Sequence, residues 1–202
     1  IYGYGPHGSG RKGGLEGEEV EAGADWKFAP DILVADGDEI TGPDWAITAL
    51  HTPGHTANHL CFHLQEENTL FVGDHIMGWA TTVISPPDGD VRQYIESLRK
   101  VADITPDILV PTHGPWVKNA VPFIRGIITH RRMREGQILK HLGDGTETIG
   151  DLVAAMYKSV DKRLHPAAAR SVLGHMIALV DEERVACDGP VELMSNFRLT
   201  EA

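Results

Sequence analysis

Three stretches of the chain share one form: a run of β-type residues ends in a glycine-containing turn that carries a potential metal ligand. They are HTPGHT with His55, LFVGDH with Asp74 and ILVPTHG with His113. Side chains at the ends of adjacent strands converge on one edge of a sheet, where clefts form. Two imidazoles and a carboxylate make a donor set for a first-row metal, suiting zinc, iron or manganese. His55 taken alone would serve as a ligand, as an acid-base residue, or as an ordinary hydrogen-bonded loop histidine.

The elements that must hold these residues can be read from periodicity and turn signals. His51, His55 and His59 are four apart, a helical spacing, but Pro53 and Gly54 break any helix there. Short strands are therefore expected at DILVAD, WAITALH, HLCFHL and TLFVGD, separated by GDEITGPD, TPGH and a hairpin turn at QEEN. A helical pattern follows, with Val91, Tyr94, Ile95, Leu98 and Val101 on one face and Asp90 as N-cap. The next strand, DILVPTHG, completes a strand-helix-strand order, which predicts an α/β fold.

From about Val117 onward the chain reads as helical. One long helix covers VPFIRGIITHRRMREGQILKHL and stops at GDG, Thr148 caps IGDLVAAMY, and Pro166 opens another helix in its first turn. The tail places Asp188 and Gly189 between two short β-like runs. Three helices and a terminal hairpin predict a winged helix, so residues 1–116 and 117–202 are expected to be separate units. A short irregular helix is expected within RKGGLEGEEVEAGADW.

The chain has 202 residues, 42% of them hydrophobic and 23% charged, which suits one sizeable core with a small appended module. A net charge of -11 argues against general affinity for nucleic acid or anionic membrane, and no stretch is apolar enough to span a bilayer. Cys61 and Cys187 form no metal-type pair, and reduced thiols fit a cytoplasmic protein.

From about Ile32 to Pro115 the chain resembles the second half of the metallo-β-lactamase superfamily, within it the β-lactamase-like hydrolases that carry a C-terminal winged helix. HTPGHTANH, LFVGDHIMGWATTVISPPDGD and PTHGP carry the resemblance, with Thr112 where relatives often have glycine. It implies a fold that is the second part of an αβ/βα sandwich, with His55 on one metal, His113 on the other and Asp74 bridging both. The family's leading His-x-His-x-Asp-His motif is absent from this sequence. The chain is thus expected to start partway through the domain, as a gene fragment or cut chain in preference to one completed by another polypeptide or a degenerate member that holds no metal.

The resemblance further implies a two-zinc hydrolase in which metal-activated water attacks an ester, thioester or phosphodiester, with Asp74 the catalytic carboxylate. Partial or absent metal occupancy and little activity are expected of the chain as it stands. His59 is expected to orient a ligand or to pack, and Thr81 and Thr82 to lie on the substrate side. His75 is read as structural, and His51 and His63 as packing or surface residues. Substrates considered are a small molecule or single-stranded RNA. The rival is a non-catalytic winged-helix binding protein. The acidic residues near Arg170, His175 and Arg184 argue against DNA reading. Arg125, Arg131, Arg132 and Arg134 are read as a basic cluster that guides an anionic substrate or forms a solvated face. An exposed apolar sheet face is expected to favour a homo-oligomer.

Overall fold

The structure is a computed structural model that describes residues 1–7 and 27–200, so the irregular helix expected within residues 11–26 lies outside the described residues. A five-stranded sheet has the order β3 (Glu39–Gly42), β4 (Trp45–His51), β5 (Leu60–Leu64), β6 (Thr69–Gly73), β7 (Ile108–Pro111). The first four strands run antiparallel in hairpin order, and β7 joins β6 in parallel after the crossover helix α1 (Val91–Asp103). The QEEN turn is present between β5 and β6, with Asn68 in a left-handed conformation.

Two strand expectations need correction. DILVAD contributes only β2 (Ile32–Leu33), which pairs in parallel with β1 (Tyr2–Gly3) outside the main sheet. The supposed separator GDEITGPD contains β3, whose Ile40 pairs with Ile47. Its single apolar residue, flanked by Glu39 and Thr41, gives an edge strand little hydrophobic signal, and the Pro43-Asp44 turn alone marks the hairpin.

Alternation along the strands divides the sheet into two faces. Leu50, Cys61, Leu70, Val72 and Leu109 are buried on one face with Tyr94, Leu98 and Val101 of α1. In register on the other face lie Ala49, Phe62, Phe71 and Val110, and Phe71 is 40% exposed. Among the described residues, helices cover the sheet on one side only.

Helix α2 (Ala120–Gly143) links two cores. Its first half sends Ala120, Ile124 and Ile127 under the sheet, and its second half sends Ile138 and Leu142 into a helical core. That second core also holds residues of α3 (Ile149–Met156), α4 (His165–Asp181), β8 (Val185–Cys187) and β9 (Phe197–Leu199). Thr148 caps α3 by accepting from the Asp151 N–H, Pro166 lies in the first turn of α4, and β8 and β9 pair as the expected terminal hairpin. The second strand starts later than the sequence suggested. Residues 188–196 form a loop stitched by Ser195, whose hydroxyl donates to the Pro190 carbonyl and accepts from the Glu192 N–H. No helix among the described residues is long and apolar enough to cross a membrane.

The loop carrying His55 is held down by α1. Asp90 caps that helix by accepting from the Gln93 N–H, its own N–H donates to the Gly54 carbonyl, and Ser97 donates to the Pro53 carbonyl. Gly54 has φ of +136°, and a Cβ there would stand 2.4 Å from the Tyr94 Cα. Only glycine permits that approach. Gly54→Ala is expected to cost about 2–4 kcal/mol of stability through strain and overpacking, measured as a lowered midpoint of urea unfolding. An unchanged midpoint would refute the close packing of this loop on α1.

Candidate metal centre

The ends of β4, β6 and β7 bring the three sequence candidates together. His55 follows β4 on the Thr52–Thr56 turn, where its Nδ1 lies 2.7 Å from the Val83 carbonyl. A carbonyl can only accept, so Nδ1 carries the proton and the Nε2 lone pair is left free, as metal-binding imidazoles require. Nε2 stands 4.0 Å from Asp74 Oδ2. On the other side, His113 Nε2 stands 3.6 Å from Asp74 Oδ1. Each carboxylate oxygen thus faces a different imidazole.

This arrangement passes a test of fit for metal. A tetrahedral ion with nitrogen and oxygen ligands about 2.0–2.2 Å away holds those two atoms roughly 3.4 Å apart. The His113 gap of 3.6 Å is close to that value, while the His55 gap of 4.0 Å is wider and would have to close by about 0.6 Å around an ion. Each ion would receive one imidazole and one carboxylate oxygen. Among the described residues no group of three or more His, Cys, Asp or Glu side chains is placed to hold one metal, short of the three protein ligands usual at a catalytic zinc. Access increases across the site, from 15% side-chain exposure at His55 to 35% at Asp74 and 57% at His113.

Two threonines fix the carboxylate. Parallel pairing of β6 with β7 sets Thr112 beside Asp74, and its hydroxyl donates to Oδ1 over 2.6 Å. Nothing in the sequence marks this role beyond a hydroxyl where relatives often have glycine. Thr82 was expected on the substrate side, yet it is buried and its hydroxyl is shared between the Asp74 and His75 carbonyls at 2.8 and 3.0 Å. It holds the backbone of the Asp74 turn from beneath. Thr81, next to it, is solvent-exposed.

Behind Thr82 stands Arg131 of α2. Its guanidinium donates to the Thr82 carbonyl and lies over the Tyr94 ring, 5.3 Å from the centroid, while the Tyr94 hydroxyl donates to the His75 carbonyl. The basic cluster expected on α2 is therefore not one surface. Arg131 is buried, Arg134 covers the Tyr157 ring, and Arg125 and Arg132 remain exposed. An arginine in a mostly polar stretch reads as surface, and its buried direction is set only by where α2 lies.

The remaining histidines divide by packing. Thr52 donates to Cys61 Sγ, so its oxygen accepts from His59 Nδ1, 2.9 Å away. The His59 ring lies over Gly73, whose φ is +52° and where a Cβ would stand 2.8 Å from Nε2. Burial first, and the nearby His55 second, lower the His59 pKa to about 4. His75 is fully buried between the His59 and Tyr94 rings, and burial pushes its pKa well below the usual value. His51 stacks on Tyr4, and His63 bonds Asn68. His175 is buried on α4, and burial, then Arg131, His130 and Arg134, lowers its pKa to about 3.

A sheet whose edge carries a carboxylate between two imidazoles, followed by a winged helix, defines a class: the chain belongs to the metallo-beta-lactamase superfamily. That family's model matches residues 1–113, and the beta-lactamase associated winged helix domain matches residues 148–190. The chain is 34% identical over 156 residues to a beta-lactamase-like protein 2 homolog of Drosophila melanogaster, covering 75% of this chain and 51% of that one. It is 32% identical over 136 residues to an atrochrysone carboxyl ACP thioesterase of Aspergillus fumigatus, covering 64% and 42%. The crystal structure of a beta-lactamase domain protein from Burkholderia ambifaria superposes with a TM-score of 0.75 at 18% identity, over 86% of this chain and 54% of that one. The chain spans about half the length of the curated relatives it matches.

Two measurements test this site's framework. Thr82→Val leaves the Asp74 and His75 carbonyls without their donor and is expected to cost about 1–3 kcal/mol, with Thr82→Ser restoring most of it in urea titrations. Loss in Thr82→Ser with none in Thr82→Val would show that the methyl rather than the hydroxyl matters. For His175, the unfolded chain takes up a proton near pH 6.5 while the folded chain does so only near pH 3. Stability therefore falls as pH drops below 6.5, by about 2 kcal/mol at pH 5 from this ring alone. His175→Gln should flatten the stability profile between pH 7 and 5 by that amount, and an unaltered slope would contradict the burial of a neutral ring.

Proposed function

We propose that His55, Asp74 and His113 are the metal ligands of a hydrolase that uses metal-activated water on an ester or thioester. The observation that carries this reading is the Asp74 carboxylate, with one oxygen toward each imidazole and a free Nε2 lone pair on His55. Two zinc ions held there would supply hydroxide near neutral pH and Lewis acids for the developing oxyanion. The chain's own residues orient that chemistry. Val83 fixes the His55 tautomer, Thr112 fixes the carboxylate rotamer, and Thr82 fixes the turn beneath it.

The surroundings favour an acyl substrate. Trp79 is 72% exposed and packs at Gly114, beside His113, while Trp116 and Val83 are also exposed nearby in sequence to the ligands. Apolar surface of this kind suits an acyl or aromatic group, and the thioesterase name of the Aspergillus fumigatus relative points the same way. The formal charge of -11 opposes RNA, which would be drawn by basic surface. A cytoplasmic location fits Cys61 and Cys187, both free thiols.

The test is zinc content per chain by elemental analysis, with zinc-dependent turnover of a short acyl thioester and of a single-stranded RNA measured in parallel. Asp74→Ala is expected to abolish retention at both positions and to lower thioester turnover by about a hundredfold or more. RNA cleavage without thioester cleavage would replace the substrate class with a phosphodiester. Partner or nucleic-acid binding that persists in Asp74→Ala, with no turnover by either chain, would instead support the non-catalytic reading.

A further inference from the structure

A second cleft, apart from the His-Asp-His edge, lies where α1, α2 and α4 meet. It has a volume of about 300 Å³, and none of the three ligand candidates lines it. The helices are close here: a Cβ on Gly174 of α4 would stand 3.3 Å from Val91 of α1. Arg92 and Arg99 project from α1 one heptad apart, and Arg132 enters from α2. None of these three arginines makes an ion pair or hydrogen bond with the described residues.

The carboxylates that line the cleft do not neutralise it. Arg184 is the group that engages Glu135 and, at 3.2 Å, Glu182. Four arginines against three glutamates leave the lining with a positive excess of one charge, on a chain of formal charge -11. A second observation points inward as well. His175 is 3% exposed and lines the cleft, and its Nε2 is buried with no hydrogen-bond partner. Buried polar atoms are almost always satisfied, so an orphan in a cleft wall marks a place for a ligand atom. The ring is neutral, as its burial requires, and its Nε2–H tautomer would donate without adding charge.

We propose that this cleft binds a small organic phosphate, with Arg92, Arg99 and Arg132 gripping the phosphate oxygens and His175 Nε2 donating from the floor. Planar guanidinium forks match phosphate oxygens, and Ile95 and Leu179 supply apolar wall for the organic part. The ligand would bridge the helix that supports the sheet and the helix of the tail, tightening the two against each other.

The experiment is isothermal titration calorimetry of the 202-residue chain with AMP and with inorganic pyrophosphate, using adenosine as the uncharged control. Saturable binding of AMP and pyrophosphate, about millimolar or tighter, is expected, with none for adenosine. Arg99→Ala and Arg132→Ala should each weaken binding about tenfold, since each removes a charge-assisted contact. Arg125→Ala removes the same charge from α2 outside the cleft and should bind like the parent. All three positions are exposed, and unchanged unfolding midpoints without ligand confirm that the variants fold. Absence of saturable binding overturns the proposal. So does weakening by Arg125→Ala equal to that of the cleft variants, which would reduce the effect to diffuse charge.

Discussion

The buried guanidinium of Arg131 is the contact on which the rest of the arrangement turns. Among the described residues it has no carboxylate partner; a carbonyl and an aromatic face take that place. Burial lowers its pKa, with the Tyr94 ring and hydroxyl opposing that effect. An arginine nonetheless keeps its proton, so the charge must be solvated by what surrounds it. What surrounds it is the Thr82 carbonyl and the ring of Tyr94, and both lead onward to the backbone at Asp74 and His75. One cation in the middle of a long helix therefore sets the level of the turn that presents the shared carboxylate.

Around that turn the polar chemistry is sorted by depth. The innermost imidazoles, His75 and His59, are kept neutral by burial and serve as packing, one fully apolar in behaviour and one anchored by Thr52. His55 is held by a single carbonyl that fixes its tautomer, and His113 stands at the open rim. Asp74 lies between these regimes with both oxygens facing imidazoles. The same residue type thus fills three roles within one sheet edge, and position relative to solvent decides among them.

Much of this was legible in the sequence because it is carried by local signals. Asp90 and Thr148 announce helix starts through capping, alternation in WAITALH and TLFVGD announces strands, and glycine turns place His55, Asp74 and His113 at strand ends. The parts that escaped depend on partners distant in the chain. Thr112 matters because β7 lies parallel to β6, Thr82 because α2 comes to rest behind it, and Ile40 because its strand borrows a neighbour rather than showing a pattern of its own. A hydroxyl or a guanidinium has no periodicity to betray its burial. The short parallel pair of β1 and β2 likewise follows from contact between segments some thirty residues apart in sequence.

The continuity of α2 also governs how the molecule comes apart. Ala120, Ile124 and Ile127 complete the core beneath the sheet, and Ile138 and Leu142 complete the core of the tail, within one uninterrupted rod of 24 residues. Neither core can lose its share of that rod without fraying the hydrogen-bond ladder that the other relies on. Melting is thereby coupled along the length of the molecule, and no exposed loop between the two cores offers a protease a cut that would free either one whole. The tail is not a passenger hung on a hinge; it is the other end of a beam on which the sheet already rests.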